Sequence, residues 1–173
     1  MPFTPFHFGP ALAIKVAGGR WFSLLAFAAA QVAIDAEAGY NLAQGCWPVH
    51  GLLHTYVGST GVAVGVTLLV AACWLLVHPR LAVLMAGAGR VFQPAGFGHV
   101  FAVTGWSALL GAWSHVFLDS LLYMDIRPFA PFWGGNPLLG LVSAPVLYLA
   151  CAGLGVAGLL LLGVARTFNR RGA

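Results

Sequence analysis

Charge is what this sequence has least of. Only 7% of its 173 residues are Asp, Glu, Lys or Arg, whereas a soluble domain carries about 25%. Hydrophobic residues make up 60% of the chain, which excludes both a water-soluble monomer and an intrinsically disordered chain. The composition is that of an integral membrane protein, and the length fits one domain, residues 1–173.

Cysteines and clustered cations are also scarce. The three cysteines show no C-x-x-C spacing and two of them lie in apolar runs, so we expect neither a structural disulfide nor a cysteine-ligated metal. The eight Lys and Arg residues give a net charge of +4 but are spread along the chain. Because they form no basic face, we expect no nucleic-acid partner.

Long apolar runs are what the chain does have. A transmembrane helix needs about 20 mostly apolar residues, and four segments qualify: 21–39, 52–77, 100–122 and 138–165. A fifth stretch, 3–17, is shorter and contains prolines and a lysine, so it either enters the membrane as a short helix or lies at its interface. The segment 81–97 is typical of a loop with a surface helix. The predicted fold class is all-α: a polytopic bundle of four long spans plus a short N-terminal membrane helix.

The basic residues predict the orientation of this bundle. Lys and Arg accumulate on the cytoplasmic side of a membrane, and in the four-span arrangement only Arg127 falls on the other side. The remaining basic residues share one side: Lys15, Arg20, Arg80, Arg90, Arg166, Arg170 and Arg171. We therefore expect a cytoplasmic C-terminus and spans whose outer ends face away from the cytoplasm.

Acidic residues and histidines gather at those outer ends. All four acidic residues lie there, together with four of the six histidines: Asp35, Glu37, Asp119, Asp125, His7, His50, His54 and His115. A single interfacial His or Asp is usually a snorkelling or capping residue. Ionisable groups that several helices bring to one level are costly and tend to mark function, so the joint pattern favours a metal site.

The spacing of these residues indicates which of them share a surface. His50 and His54 are four residues apart, as are His115 and Asp119, and each pair would lie on one helix face. Two such pairs on facing helices supply up to four N and O ligands, which suits Zn²⁺ or another divalent ion such as Mn²⁺ or Fe²⁺. Asp35 would add a ligand or a general base.

Small residues continue both faces into the membrane, where they let helices approach closely: Gly58, Gly61 and Gly65 on one, Gly111, Ala108 and Thr104 on the other. Gln31 lies one turn below Asp35 and would place an amide beside the site.

Three nearby residues keep two interpretations each. Glu37 cannot share the helical face of Asp35, so its participation is open. Asp125 is either a ligand at the rim of the site or a turn residue. Arg127 either steadies an anionic phosphate or pairs with Asp125.

The motifs around these residues resemble the YdjM family of bacterial membrane-bound, metal-dependent hydrolases. Four stretches carry the resemblance in order, between Met1 and about Phe132: MPFTPFHFGPA, QVAIDAE, HGLLHT and HVFLD. That family is in turn similar to zinc phospholipase C and P1 nuclease, all-helical enzymes whose zinc cluster hydrolyses phosphate esters. The resemblance implies metal ligands at His7, Asp35, His50 or His54, His115 and Asp119. No histidine follows His115, so we expect one or two zinc ions rather than three.

The resemblance also implies a bacterial inner-membrane protein whose site faces away from the cytoplasm. We expect a hydrolase that cleaves a phosphate ester, most simply a phospholipid or lipid-phosphate head group, with Asp35 accepting the proton from a metal-bound water. The alternatives are a divalent metal transporter and a membrane protein with a structural metal site. A haem protein is disfavoured because carboxylates accompany the histidines.

Overall fold

Helices make up all the regular structure in the part of the chain that the computed structural model describes, residues 5–87 and 95–171. The α-helices are α1 Gly9–Gly18, α2 Leu24–Ala43, α3 Tyr56–Gly87, α4 Phe97–Ser120 and α5 Ala144–Arg171. Single turns of 3₁₀ helix cover Pro5–Phe8, Gly19–Trp21 and Leu52–His54. The predicted all-α class is therefore confirmed for these residues.

Three of the described helices are long and apolar enough to cross a membrane: Tyr56–Leu81 in α3, Phe97–Ser120, and Ala144–Ala165 in α5. They correspond to the second, third and fourth predicted spans and indicate a membrane protein. The first predicted span corresponds to α2, which is not among the three. Its 20 residues include Asp35 and Glu37.

The second predicted span starts too early. Thr55 has an extended backbone, and its hydroxyl accepts a hydrogen bond from the Gly58 N–H at 2.9 Å, so Thr55 caps an α-helix that begins at Tyr56. The same helix runs on to Gly87, so residues 81–87 continue α3 instead of belonging to a separate loop with a surface helix; Leu, Ala and Met in this stretch favour helix. Of the rest of that predicted segment, residues 88–94 lie outside the described chain, and 95–96 are irregular before α4 begins at Phe97.

The last predicted span also starts too early, since α5 begins at Ala144. The side chain of Asn136 accepts a hydrogen bond from the Leu138 N–H at 3.1 Å, which is typical of a turn. Gly140 has a φ of 75°, a conformation that interrupts a helix and favours glycine. Residues 138–143 therefore form turns before the helix.

Helix α4 is the centre of the bundle. It packs against α2 and α3, while α1 packs against α5. The core between α2, α3 and α4 is built of small side chains around Ile34: Ala26, Ala30, Ala63, Ala108 and Ala112. A Cβ at Gly111 would clash with the backbone of Phe27, so this glycine sets how closely α4 approaches α2.

The buried face of α4 is the predicted one, with Thr104, Ala108 and Gly111 all buried. The predicted face of α3 is wrong. Gly61 and Gly65 are exposed, and the helix buries Ser59, Ala63 and Thr67 instead. The reason is that His54 precedes α3, so its position does not define which side of that helix faces inward.

The two ends of the bundle differ in charge. His7, Asp35 and Asp119 lie together toward the end of the bundle at which α4 finishes. The opposite end is marked by ring contacts of Trp21 with His99 and of Trp74 with Phe97. Three basic side chains of the described chain lie toward that opposite end: Lys15, Arg20 and Arg80.

Candidate metal centre

Helix α4 supplies two side chains of the candidate site. His115 and Asp119 are four residues apart near its end, both are buried, and His115 Nε2 lies 3.2 Å from Asp119 Oδ2. Side chains at this spacing stand one above the other on a helix. The predicted pairing of these two residues is confirmed.

Asp35 approaches from α2. Its Oδ1 lies 3.3 Å from His115 Nε2, and its side chain is 11% exposed, whereas that of His115 is fully buried. The two helices can bring these groups together because Gly111, one turn before His115, has no side chain to hold them apart.

His54 completes the group from an irregular segment rather than from a helix. It ends the 3₁₀ turn Leu52–His54, is fully buried, and places Nε2 3.8 Å from Asp119 Oδ2. The prediction that His50 and His54 share a helix face is wrong, because α3 begins at Tyr56, after Thr55, and both histidines precede it. The turn folds back over α3, where a Cβ at Gly58 would clash with the Leu52 carbonyl.

Four side chains therefore converge: Asp35, His54, His115 and Asp119, whose ligand atoms all lie within 4.8 Å of one another. Zinc holds N and O ligands at about 2.0–2.2 Å, so neighbouring ligands in a tetrahedron are roughly 3.3–3.6 Å apart. The contacts of 3.2, 3.3 and 3.8 Å within the group are close to that spacing. The residues present fit a divalent metal ion.

Three ring nitrogens of this group have no hydrogen-bond partner within the described residues. Nε2 of His54 and both ring nitrogens of His115 are buried and unpaired, and the short contacts of His115 with carboxylates lack hydrogen-bond geometry. Leaving a buried polar group unpaired costs about 1–3 kcal/mol. A cation between the two Nε2 atoms and the carboxylates would satisfy both nitrogens.

Glu37 supports the group from behind His54. Its Oε2 accepts a hydrogen bond from the Leu53 N–H at 2.9 Å and lies 3.4 Å from His54 Nδ1. A carboxylate on one ring nitrogen orients the other nitrogen toward a metal. Asp35 and Glu37 lie on different faces of α2, as their spacing predicts. Asp35 faces α4, and Glu37 faces the 3₁₀ turn Leu52–His54.

His7 lies beside the group. Its Nε2 is 3.2 Å from Asp119 Oδ1, and its ring contacts that of His115 edge-on at 4.7 Å. Gln31, one turn below Asp35, lies within 3.4 Å of the carbonyl oxygens of His7 and Gly111. The amide therefore joins the N-terminal turn to α4 directly beneath the site.

His50 is held by Asp125. His50 Nδ1 lies 2.8 Å from Asp125 Oδ1, and Asp125 Oδ2 accepts hydrogen bonds from the Val49 and His50 N–H groups at 3.0 Å each. Burial alone would raise the pKa of Asp125, but these bonds outweigh it and hold the pKa below its ordinary value. The His50 ring also contacts that of His54, with centroids 4.7 Å apart.

The pairing of His50 with Asp125 is the part of the site that the sequence did not suggest. The two residues come from segments far apart in the chain, and no spacing rule connects them. A signal for the break was present, since a threonine directly before an apolar run is a typical helix N-cap. With Thr55 as the N-cap, the helix begins after His50 and His54, and neither histidine belongs to it.

Two cavities flank His50 and Asp125. One, of about 510 Å³, is lined mainly by apolar side chains that include Trp47, Leu122 and Leu139. The other, of about 230 Å³, includes Arg127 in its wall. Both cavities have mainly apolar walls, and both include His50 and Asp125 in their lining.

No model of a protein family, no curated protein and no solved structure matches this chain. The resemblance to the YdjM family therefore rests on the four motifs themselves. The metal site does not depend on that resemblance, because a mostly buried set of two imidazoles and two carboxylates is able to hold a metal ion.

Proposed function

We propose that this protein is a membrane-bound hydrolase that uses a divalent metal ion to cleave a phosphate ester, of a lipid or of another substrate, at the membrane surface. The observation that carries the proposal is the convergence of Asp35, His54, His115 and Asp119 within 4.8 Å. This donor set suits Zn²⁺ first, with Mn²⁺ and Fe²⁺ as alternatives. His7 and His50 are the nearest further imidazoles for a second ion.

Asp35, His54, His115 and Asp119 would hold a divalent ion, which would supply Lewis acidity to activate water at neutral pH and to polarise a phosphoryl oxygen. The protein's own contribution is positional. Glu37 orients His54, and α4 fixes His115 and Asp119 in one register. Asp35 is the most exposed of the four side chains, so it lies on the side from which substrate approaches and is placed to accept a proton when one of its oxygens is free.

The position of the group favours hydrolysis over the alternatives. A transported ion is expected near the middle of the bilayer, often in interrupted helices, whereas His115 and Asp119 lie in the last two turns of α4, a helix long enough to cross the membrane. With all four side chains bound, a zinc ion would be closed as in a structural site, whereas with Asp35 released three ligands and one open position would remain, as in a catalytic site. Here the partial exposure of Asp35 leaves an approach to the ion, and two cavities lie beside the neighbouring His50.

We further propose that α2 crosses the bilayer as a fourth long span and that α1 enters it as a short helix. On α2, Gln31 is buried, Asp35 contacts His115 and Glu37 contacts His54, so these three polar side chains face protein rather than lipid. With Lys15, Arg20 and Arg80 at the opposite end, the site faces away from the cytoplasm and the C-terminus faces it. In a bacterium this membrane is the inner membrane.

The test is elemental analysis of the full chain purified in detergent, beside the variant His54→Ala/Asp119→Ala. We expect one or two equivalents of zinc, manganese or iron, lost in the variant, and release of phosphate from lipid phosphates by the metal-loaded wild type only. A folded protein that takes up none of these ions would overturn the proposal. Bound metal without hydrolysis of any phosphate ester would assign the site to a structural role.

A further inference from the structure

We infer that Arg127 recognises the anionic phosphate group of the substrate or product, in the cavity of about 230 Å³ beside the metal centre. The inference rests on the proposed function, because it names the residue that selects for charge at that same site. It is a binding role: Arg127 determines which molecules are held, while the chemistry belongs to the metal centre.

Two residues in the wall of this cavity are direct neighbours of the metal centre and its supporting carboxylate. His50 forms part of one wall, and its ring contacts that of His54 at 4.7 Å. Gly51 forms part of another, and a Cβ there would lie 2.7 Å from Glu37 Oε1. A group bound in this cavity therefore lies against His50 and Gly51, which are next to His54 and Glu37 respectively.

The Arg127 side chain is exposed and has no ion-pair or hydrogen-bond partner within residues 5–87 and 95–171. The carboxylate two residues away, Asp125, is already engaged by His50 and by the Val49 N–H. The interpretation in which Arg127 simply pairs with Asp125 is therefore not the arrangement observed. A free guanidinium presents a planar fork of donors that matches phosphate oxygens.

The backbone that carries Arg127 is held in place. Its neighbours Ile126 and Pro128 are buried, and the Pro128 carbonyl accepts a hydrogen bond from the Tyr56 N–H at 2.9 Å. The Arg127 carbonyl accepts one from the Ala130 N–H at 3.1 Å. The arginine is thus presented from a fixed position beside the start of α3, with only its side chain free to move.

The charge around the site also requires a cation for an anionic substrate. Four carboxylates gather at this end of the bundle: Asp35, Glu37, Asp119 and Asp125. One divalent ion offsets two of these negative charges, and the remaining charge would repel a phosphate ester. Among the lysine and arginine side chains that the structure describes, only Arg127 lies at this end; about 36 Å of helix separate Tyr56 from Arg80. Arg127 offsets that repulsion where a phosphate would approach.

The test is the affinity of the metal-loaded, detergent-solubilised full chain for two probes, inorganic phosphate and dioctanoyl phosphatidate, with dioctanoylglycerol as the uncharged control. Arg127→Gln should weaken binding of the anionic probes about tenfold, as loss of a charge-assisted hydrogen bond does. Arg127→Lys should fall between wild type and Arg127→Gln. Arg80→Gln, which removes a cation from the opposite end, should leave binding unchanged, and metal content should be equal in all of these proteins.

The outcomes distinguish a phosphate group from a lipid head group as the ligand. They also distinguish the binding role of Arg127 from the proposed hydrolase activity. A tenfold loss for both probes identifies the phosphate group itself as the ligand, and a loss for phosphatidate alone identifies a lipid head group. Equal affinity of Arg127→Gln and wild type for both probes overturns the inference, even if hydrolysis is observed. Phosphate binding that depends on Arg127 in a protein that hydrolyses nothing supports the inference and contradicts the proposed hydrolase.

Discussion

Oε2 of Glu37 lies 3.4 Å from Nδ1 of His54, and the opposite ring nitrogen of that histidine lies 3.8 Å from Asp119. The carboxylate thus sits behind the imidazole on the side away from the candidate ion. Such pairs fix the tautomer and orientation of a ligating histidine. The same Glu37 oxygen accepts the Leu53 N–H at 2.9 Å, so one side chain holds both the turn and its histidine.

Replacing Glu37 should therefore weaken metal binding without removing a ligand. We expect Glu37→Ala to lower zinc affinity by about 10- to 100-fold, the usual effect of losing such a supporting carboxylate. Competition with a fluorescent zinc chelator would measure it. Glu37→Gln keeps the side-chain oxygen that accepts the Leu53 N–H and should lose less; a larger loss in Glu37→Gln than in Glu37→Ala would contradict this assignment.

Removing a side chain from the group itself should have a larger effect. His115→Ala and Asp119→Ala should abolish both metal binding and hydrolysis, since each takes away an atom of the converging set. His78→Ala and His99→Ala are matched controls, because these histidines contact Trp74 and Trp21 at the opposite end of the bundle. Equal loss of metal from all four variants, measured by elemental analysis, would disprove the location of the site.

The close contact between α2 and α4 should make Gly111 intolerant of substitution. Gly111→Ala forces a methyl group against the Phe27 backbone, and overpacking costs about 1–3 kcal/mol, which exceeds the gain of about 1 kcal/mol from replacing glycine within a helix. Gly61→Ala meets no atom within 4 Å and should be neutral or stabilising. Unfolding in mixed detergent micelles would measure both; a Gly111→Ala protein as stable as Gly61→Ala would contradict the packing described.

The pairing of Asp125 with His50 should make stability depend on acid. Because the pKa of Asp125 is held below its ordinary value, its ionised form stabilises the fold above that value, about 3.9, and this contribution is lost as the pH falls through the folded pKa. Asp125→Asn should therefore be less stable than wild type at about pH 6, with a smaller difference at about pH 3. Thermal unfolding at the two pH values would test this. A difference that grows in acid would contradict the assignment.

Much of the architecture was predictable because its causes are local. Apolar runs of the right length locate α3, α4 and α5, and the four-residue spacing of His115 and Asp119 places them together on α4. The boundaries were less predictable. Thr55 caps the start of α3, and Gly140 lies in a turn before α5. In both places a single capping or turn residue outweighs the apolar pattern around it.

By itself the sequence determined the class of the protein, since its lack of charge excludes a soluble fold and its histidines and carboxylates all fall at span ends. Only the tertiary structure decided how they pair. Asp35 meets His115, Glu37 supports His54, and Asp125 holds His50 rather than Arg127. The physical reason is that spacing rules relate residues within one helix, whereas these contacts join separate segments whose approach depends on small residues such as Gly58 and Gly111.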